Sequence, residues 1–355
     1  MKDKNAKNLI KQILRIVIPF ILTIVFLYIA FRNIDIEIAF DYILHAELYG
    51  IALFVLLFMI SHWLRALRWK VMVHSVKEDV SLLNLFGATM IGYGVNAVVP
   101  RLGELYRAFF LGKWENLSRS SMFGTVLLER IIDILALGIA VMISIFLYDG
   151  NLYDEIEWLE STVILGFSAI GILILMILSL VIFRERFSQF IVKFVGKISQ
   201  KAADKVNYVF DMMTDGFSTL NSRVLFFKAF LLTVLIMVFY AAASYAGFFM
   251  IGMDQAEKVT YSMAWIFMSI GAFGIVIPTP GGTGSYHAIS IFVLTTLYGF
   301  TSEISAAYAI LTHFISYIIF IISPTFFVYL INNIRKKQGK ETVNFMTVFK
   351  SGVED

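Results

Sequence analysis

Val99-Pro100-Arg101-Leu102-Gly103 and Pro278-Thr279-Pro280-Gly281-Gly282-Thr283-Gly284 interrupt two apolar stretches, residues 82–111 and 261–298. Proline has no amide hydrogen to donate and its ring clashes with the preceding turn, while glycine loosens the backbone, so each break ends one helix and starts another. Each stretch therefore reads as a helical hairpin whose chain leaves on the side it entered. Outward from these breaks lie six uninterrupted apolar runs, near 16–31, 48–64, 121–148, 161–183, 225–251 and 305–332. Runs of roughly 20 residues cross a hydrocarbon core about 30 Å thick. Composition agrees, because 59% apolar and 15% charged residues depart from the ~45–50% and ~25% of soluble domains. The expected fold is an all-α integral membrane protein of six full spans plus two broken or re-entrant hairpins. That makes eight or more membrane helices in one polytopic domain over 1–340, followed by a cytoplasmic tail at 341–355.

Basic residues orient the chain. With the N-terminus in the cytoplasm, the segments on that side are the N-terminal tail, the loops near 65–81, 112–120 and 184–223, and the tail after 334. Together they hold 23 of the 29 lysines and arginines. The outer loops hold Arg32 and Lys258, whereas Asp149, Asp154, Glu155, Glu157 and Glu160 crowd one of them without a basic neighbour. This positive-inside bias predicts a multi-pass plasma-membrane protein with both termini cytoplasmic. The first apolar run follows Lys2, Lys4, Lys7, Lys11 and Arg15 as in a signal peptide, but no small-x-small cleavage site follows, so it reads as a retained span. A net charge of +3, dispersed among loops, argues against a nucleic-acid partner. Without cysteine the redox compartment is not readable.

On this map the halves, about 1–150 and 160–335, both run span, span, hairpin, span, with the first hairpin opening inward and the second outward. Inverted halves with interrupted helices at matching positions are how many transporters build a midplane site reached alternately from either side.

The first break carries the richest cluster, Asn96-Ala97-Val98-Val99-Pro100-Arg101-Leu102-Gly103-Glu104-Leu105-Tyr106-Arg107. An arginine at a helix centre costs roughly 2.5–3.5 kcal/mol on insertion scales, so two of them beside apolar arms need a reason. Glu104 and Arg107 stand three residues apart and are expected to pair. Arg101 is then left near the break, where its guanidinium and the first amides of the next helix can hold a phosphate. An internal Arg–Glu bridge with a snorkelling arginine explains the same residues and carries equal weight. Glu129, Arg130 and Asp133 share one helical sector and read first as structural charges holding their span against the first hairpin, with a ligand or coupling role second.

In the second break Gly281, Gly282 and Gly284 permit close backbone approach, and Ser285 opens a helix whose free amides can face an anion. The stretch lacks the Gly-Lys-Ser/Thr ending of a phosphate loop. His287, in the same turn, and His313, in the last span, can contact a headgroup or change charge near neutral pH, although helix-packing histidines are commoner. Residues 184–223 combine Phe187, Phe190, Ile191, Phe194, Val195 and Ile198 at helical spacing with Lys193, Lys197, Lys201 and Lys205 on another face, the pattern of a cytoplasmic interfacial helix. No spacing resembles a metal site or a Ser/His/Asp set, so no catalytic residue, metal or cofactor is expected.

Taken together, Asn96 to Pro100, Arg101, Gly103-Glu104, Arg107, Glu129-Arg130, Asp133 and the run from Pro278 to Gly284 resemble the lysylphosphatidylglycerol synthase transmembrane family over nearly the whole chain. In bifunctional members of that family this membrane region is assigned to flipping an aminoacylated lipid, while a separate soluble domain makes it. The resemblance implies a flippase-type module without the synthase. His287 and His313 stand where an acidic residue and an arginine or other polar residue would be expected, which bears on the headgroup. The expected substrate contacts are Asn96, Arg101, Glu104, Arg107, Gly281, Gly282, Gly284, Ser285 and His287. The expected partner is an anionic membrane lipid, and a homo-oligomer or a synthase partner is compatible with this reading. A membrane-embedded enzyme or accessory subunit for lipid-linked substrates, and a small-anion transporter, are the alternatives.

Overall fold

The computed structural model describes residues 2–183 and 222–349, with isolated positions between 184 and 221, and side chains from Val17 onward apart from several in 169–182. The described residues are helical, without strands. The elements are α1 (Lys2–Phe31), α2 (Ile36–Leu44), α3 (Leu48–Val73), α4 (Leu82–Val98), α5 (Gly103–Glu115), α6 (Arg119–Leu147), α7 (Leu152–Glu155) and α8 (Glu157–Ile182). They continue with α9 (Arg223–Met250), α10 (Met253–Ala256), α11 (Tyr261–Val276), α12 (Ser285–Tyr298) and α13 (Ser302–Lys337).

Among the described residues, four helices, α3, α6, α9 and α13, are long and apolar enough to cross a membrane, and Val17–Phe31 of α1 with α2, bent by 89° at their break, makes a fifth candidate. The bend follows from Asp35, whose carboxylate accepts the N–H groups of Glu37 (3.0 Å) and Ile38 (3.3 Å) and so starts a new helix.

Both interrupted stretches form hairpins, the second with the expected limits and the first extended to Glu115. Their arms, α4 and α5 with 17 and 13 residues and α11 and α12 with 16 and 14, reach about 20–26 Å at 1.5 Å per residue, short of a ~30 Å hydrocarbon core. Each hairpin is closed by backbone proximity. A Cβ on Gly103 would overlap the Gly92 carbonyl, and one on Gly274 would come 2.9 Å from the Ser285 carbonyl oxygen. In both cases the facing residue is eleven positions away.

The packing is reciprocal between the halves. α3 lies along α9; α4 packs on α13 as α11 packs on α6; and α3–α4, α4–α5 and α5–α6 contacts are matched by α9–α11, α11–α12 and α12–α13. Two large apolar cores result, one around Phe248, Phe267 and Tyr308, the other around Trp69, Met90 and Phe110, with a small third cluster around Ala39, Ile291 and Ala306.

Two expectations change. The second span does not end near residue 64: α3 continues to Val73, so Arg65 and Arg68, placed by the sequence reading in a cytoplasmic loop, are helical and buried. The segment from 341 onward, expected as a tail, docks on the helical domain: Asn332 and Val343 exchange hydrogen bonds (2.8 and 2.9 Å), and the rings of Phe345 and Phe349 pack tilted or edge-on against Tyr106, Phe109 and Phe110 of α5. The amphipathic segment expected at 184–223 lies largely outside the described residues.

Candidate functional site

Four arginines converge on two carboxylates between α3, α5 and α6. Arg65 Nη2 donates to Glu129 Oε1 (2.6 Å) and Asp133 Oδ2 (2.6 Å). Arg68 Nη2 donates to Glu129 Oε1 (3.2 Å) and to Asp133 Oδ1. Arg107 Nη2 donates to Glu129 Oε2 (2.6 Å), its guanidinium lying 4.7 Å from the centre of the Trp69 ring. Arg130 reaches Glu129 (3.3 Å) and Asp133 (3.1 Å). The α9 side is supplied by Tyr240, whose hydroxyl accepts from Arg65 (3.2 Å), and Thr233, which accepts from Arg68 (3.1 Å).

Spacing explains the convergence. Arg65 and Arg68 lie three residues apart on α3, and Glu129, Arg130 and Asp133 share a sector of α6, so the two faces meet as ridges of charge. Gly92 makes room on the remaining side, since a Cβ there would press on Arg107 Cδ at 3.1 Å. Glu129 is wholly buried and Arg65, Arg68 and Arg107 nearly so, while the Arg130 side chain is 35% exposed. Four guanidinium groups against two carboxylates leave a formal excess of two positive charges. The Nε–H groups of all four arginines are buried without an acceptor among the described residues, so the donors exceed what the two carboxylates accept.

The expected Glu104–Arg107 pair is not formed, because Glu129 takes Arg107. Glu104 instead accepts from Asn96 Nδ2 (3.3 Å to each oxygen), and Asn96 Oδ1 accepts the Gly103 N–H (2.8 Å), capping α5 in place of a helix-start serine. Both residues thus hold the first hairpin closed. Arg101 is exposed at the break, with φ +65°, and forms no ion pair among the described residues.

At the second break Ser285 is fully buried, its hydroxyl donating to the Gly274 carbonyl (2.6 Å) with Thr279 Oγ1 2.9 Å away. It fastens the hairpin and is closed to a ligand. His287 Nδ1 accepts the Gly284 N–H (3.4 Å), and His313 Nε2 donates to the Gly281 carbonyl (3.2 Å); their ring centres are 4.7 Å apart. Gly284 (φ +87°) rests on α1, where a Cβ would lie 2.7 Å from the Thr23 carbonyl. Gly281 (φ +58°) would bring a Cβ to 3.3 Å from Ala97 Cα, and Tyr317 Oη donates to the Ala97 carbonyl (2.9 Å). The two breaks therefore touch, with Gly282 buried behind them.

Interrupted helices meeting beside a buried, net-positive charge cluster define a polytopic helical membrane protein organised around a charged centre. The chain belongs to the family described as lysylphosphatidylglycerol synthase TM region, whose model matches residues 13–323. It is 25% identical over 313 residues to a UPF0104 membrane protein of Methanocaldococcus jannaschii, covering 82% of this chain and 88% of that one. A UPF0104 membrane protein of Methanothermobacter thermautotrophicus is 26% identical over 265 residues, 71% of this chain and 76% of the relative. Glycosyltransferase AglD of Haloferax volcanii is 22% identical over 285 residues, 74% of this chain and 46% of that protein. No solved structure matches the chain at a significant level.

Proposed function

We propose that the protein is a flippase-type lipid transporter, not an enzyme, which holds the phosphate of an anionic lipid between two inverted, interrupted halves near the bilayer midplane. The observation that carries this reading is the excess of two positive charges enclosed among α3, α5, α6 and α9. Removing an ion from water costs several kcal/mol even after the protein relaxes, so an unbalanced cluster among apolar helices favours a mobile anion as its counter-ion. Arg130 is the accessible edge of the cluster and Arg101 the approach at the break, while Asn96, Glu104 and Ser285 serve as scaffold. The short hairpin arms put both breaks inside the hydrocarbon layer when the arms start at its surfaces, and the reciprocal packing supports the inversion. Acyl chains stay in the surrounding lipid. With Arg65 and Arg68 removed from the count, the basic residues of the tails and remaining loops still favour cytoplasmic termini in the plasma membrane.

The test is reconstitution in vesicles with fluorescent phosphatidylglycerol and a membrane-impermeant quencher. Arg101→Asn, chosen because asparagine tolerates the left-handed backbone that Arg101 adopts, is expected to slow leaflet exchange at least tenfold; an unchanged rate sinks the role. A role in processing lipid-linked substrates is the second reading, favoured by the likeness to a protein named as a glycosyltransferase. New product from lipid extracts would select it. Inhibition by soluble glycerol phosphate without acyl chains would point instead to a small-anion transporter.

A further inference from the structure

We infer a second anion site, distinct from the charge cluster, at the end of the bundle where α3, α5 and α13 finish and α4 begins. A cavity of about 420 Å³ opens there, lined by Lys70, Asn84, Trp114, Arg335 and Lys340 among others. That size lies in the range of small-ligand pockets, about 300–1,000 Å³. Lys70 and Lys340 form no ion pair among the described residues, and Arg335 donates to main-chain carbonyls, Nη1 to Trp114 (2.7 Å) and Nε to Glu341 (2.8 Å).

The negative groups facing the cavity do not cancel these cations. Glu115 is held by Lys77 Nζ (2.7 Å), the Ser81 N–H (3.0 Å) and Asn84 Nδ2 (2.7 Å), where it caps the start of α4. Asp79 stands exposed at the rim. Three cations therefore meet one unattached carboxylate in the lining, with Glu341 near Arg335 just outside it. The indole N–H of Trp114, a residue only 4% exposed, also lacks an acceptor among the described residues.

The cations are held by fixed backbone. The Lys340 N–H donates to the Arg335 carbonyl (2.9 Å), and the Asn332–Val343 bonds anchor the chain just beyond, with Val343 and Val348 buried. Lys70 comes from a separate helix. An arginine and two lysines converging on a polar hollow match a phosphate ester. Its source is either a lipid headgroup in the adjoining leaflet or a soluble phosphate ester.

The experiment uses the full-length protein in phosphatidylcholine nanodiscs and follows Trp114 emission, isolated by subtracting the Trp114→Phe spectrum. Glycerol 3-phosphate is titrated in one arm, and phosphatidylglycerol replaces part of the phosphatidylcholine in the other. The expected result is a saturable change in at least one arm, weakened fivefold or more in Lys70→Gln/Lys340→Gln and retained in Arg101→Asn. A response to the soluble ester identifies a free ligand, and a response to the lipid alone identifies a headgroup. No Trp114 change in either arm, or an unaltered response in a double variant that melts like the wild type, overturns the site. Since the site shares no residue with the charge cluster, leaflet-exchange data stand or fall separately.

Discussion

Glu129→Gln is the most informative perturbation of the charge cluster. The glutamine preserves shape and one carbonyl acceptor but removes the charge shared by Arg65 (2.6 Å), Arg68 (3.2 Å), Arg107 (2.6 Å) and Arg130 (3.3 Å). The formal excess rises from two to three positive charges, and Asp133 alone must balance four guanidiniums. Breaking a buried pair by neutralising one partner costs about 3–5 kcal/mol, because the other charge remains in place. At roughly 2–4 °C per kcal/mol for chains of 150–250 residues, and less for longer ones, the melting midpoint should fall by ~5–12 °C. Differential scanning fluorimetry in detergent measures it. Glu129→Gln/Arg107→Gln, which restores the original excess, should melt above the sum of the two single effects, with a coupling of about 0.5–3 kcal/mol. A Glu129→Gln protein that melts within 1 °C of the wild type would refute the electrostatic reasoning.

Glu104→Gln, by contrast, should shift the midpoint little, since Glu104 makes only two long bonds from Asn96; a drop as large as that of Glu129→Gln would contradict its separation from the cluster. Gly103→Ala should lose folded protein by size-exclusion chromatography, because the Cβ would overlap the Gly92 carbonyl and overpacking typically costs about 1–3 kcal/mol or more. Truncation after Lys340 exposes the pocket that Val343 and Val348 fill; at about 1.5–3 kcal/mol for each fully buried valine-sized side chain, the truncated protein should melt lower and be cleaved sooner by trypsin. Tyr317→Phe removes the bond to Ala97, for a stability loss of about 0.5–1.5 kcal/mol by thermal melt.

The hairpins were legible because proline and glycine act locally: Pro100 and Pro278 stop helices by what they lack. The spans were legible for the same kind of reason, since apolar length is a property of the segment. Arg65 and Arg68 were missed because a charge at the end of an apolar run reads as its boundary. Their spacing, three residues apart with His62 three residues earlier and apolar residues between, is a signal that the helix continues with one charged face. Glu104 and Arg107 were wrongly paired because helical spacing only permits a neighbour, and Glu129, distant in sequence, offered Arg107 a shorter bond in a drier place. Asn96 and Ser285 were read as contacts for a ligand, yet each satisfies backbone at a helix break, a role that depends on where the opposite arm lies. Sequence assigned the tail only a side of the membrane, and its two buried valines became visible only beside α5.

The glycine seams inside the hairpins constrain how such a molecule can move. With Gly92 against Gly103 and Gly274 against Ser285, neither pair of arms can part beside its break without rupturing a main-chain contact. Each is a wedge and not a pair of jaws. The wedge tips abut where Gly281 lies against Ala97, and the first wedge is also bound to α13 by the Tyr317–Ala97 bond and by the packing of α4 along that helix, so displacing it carries α13 with it.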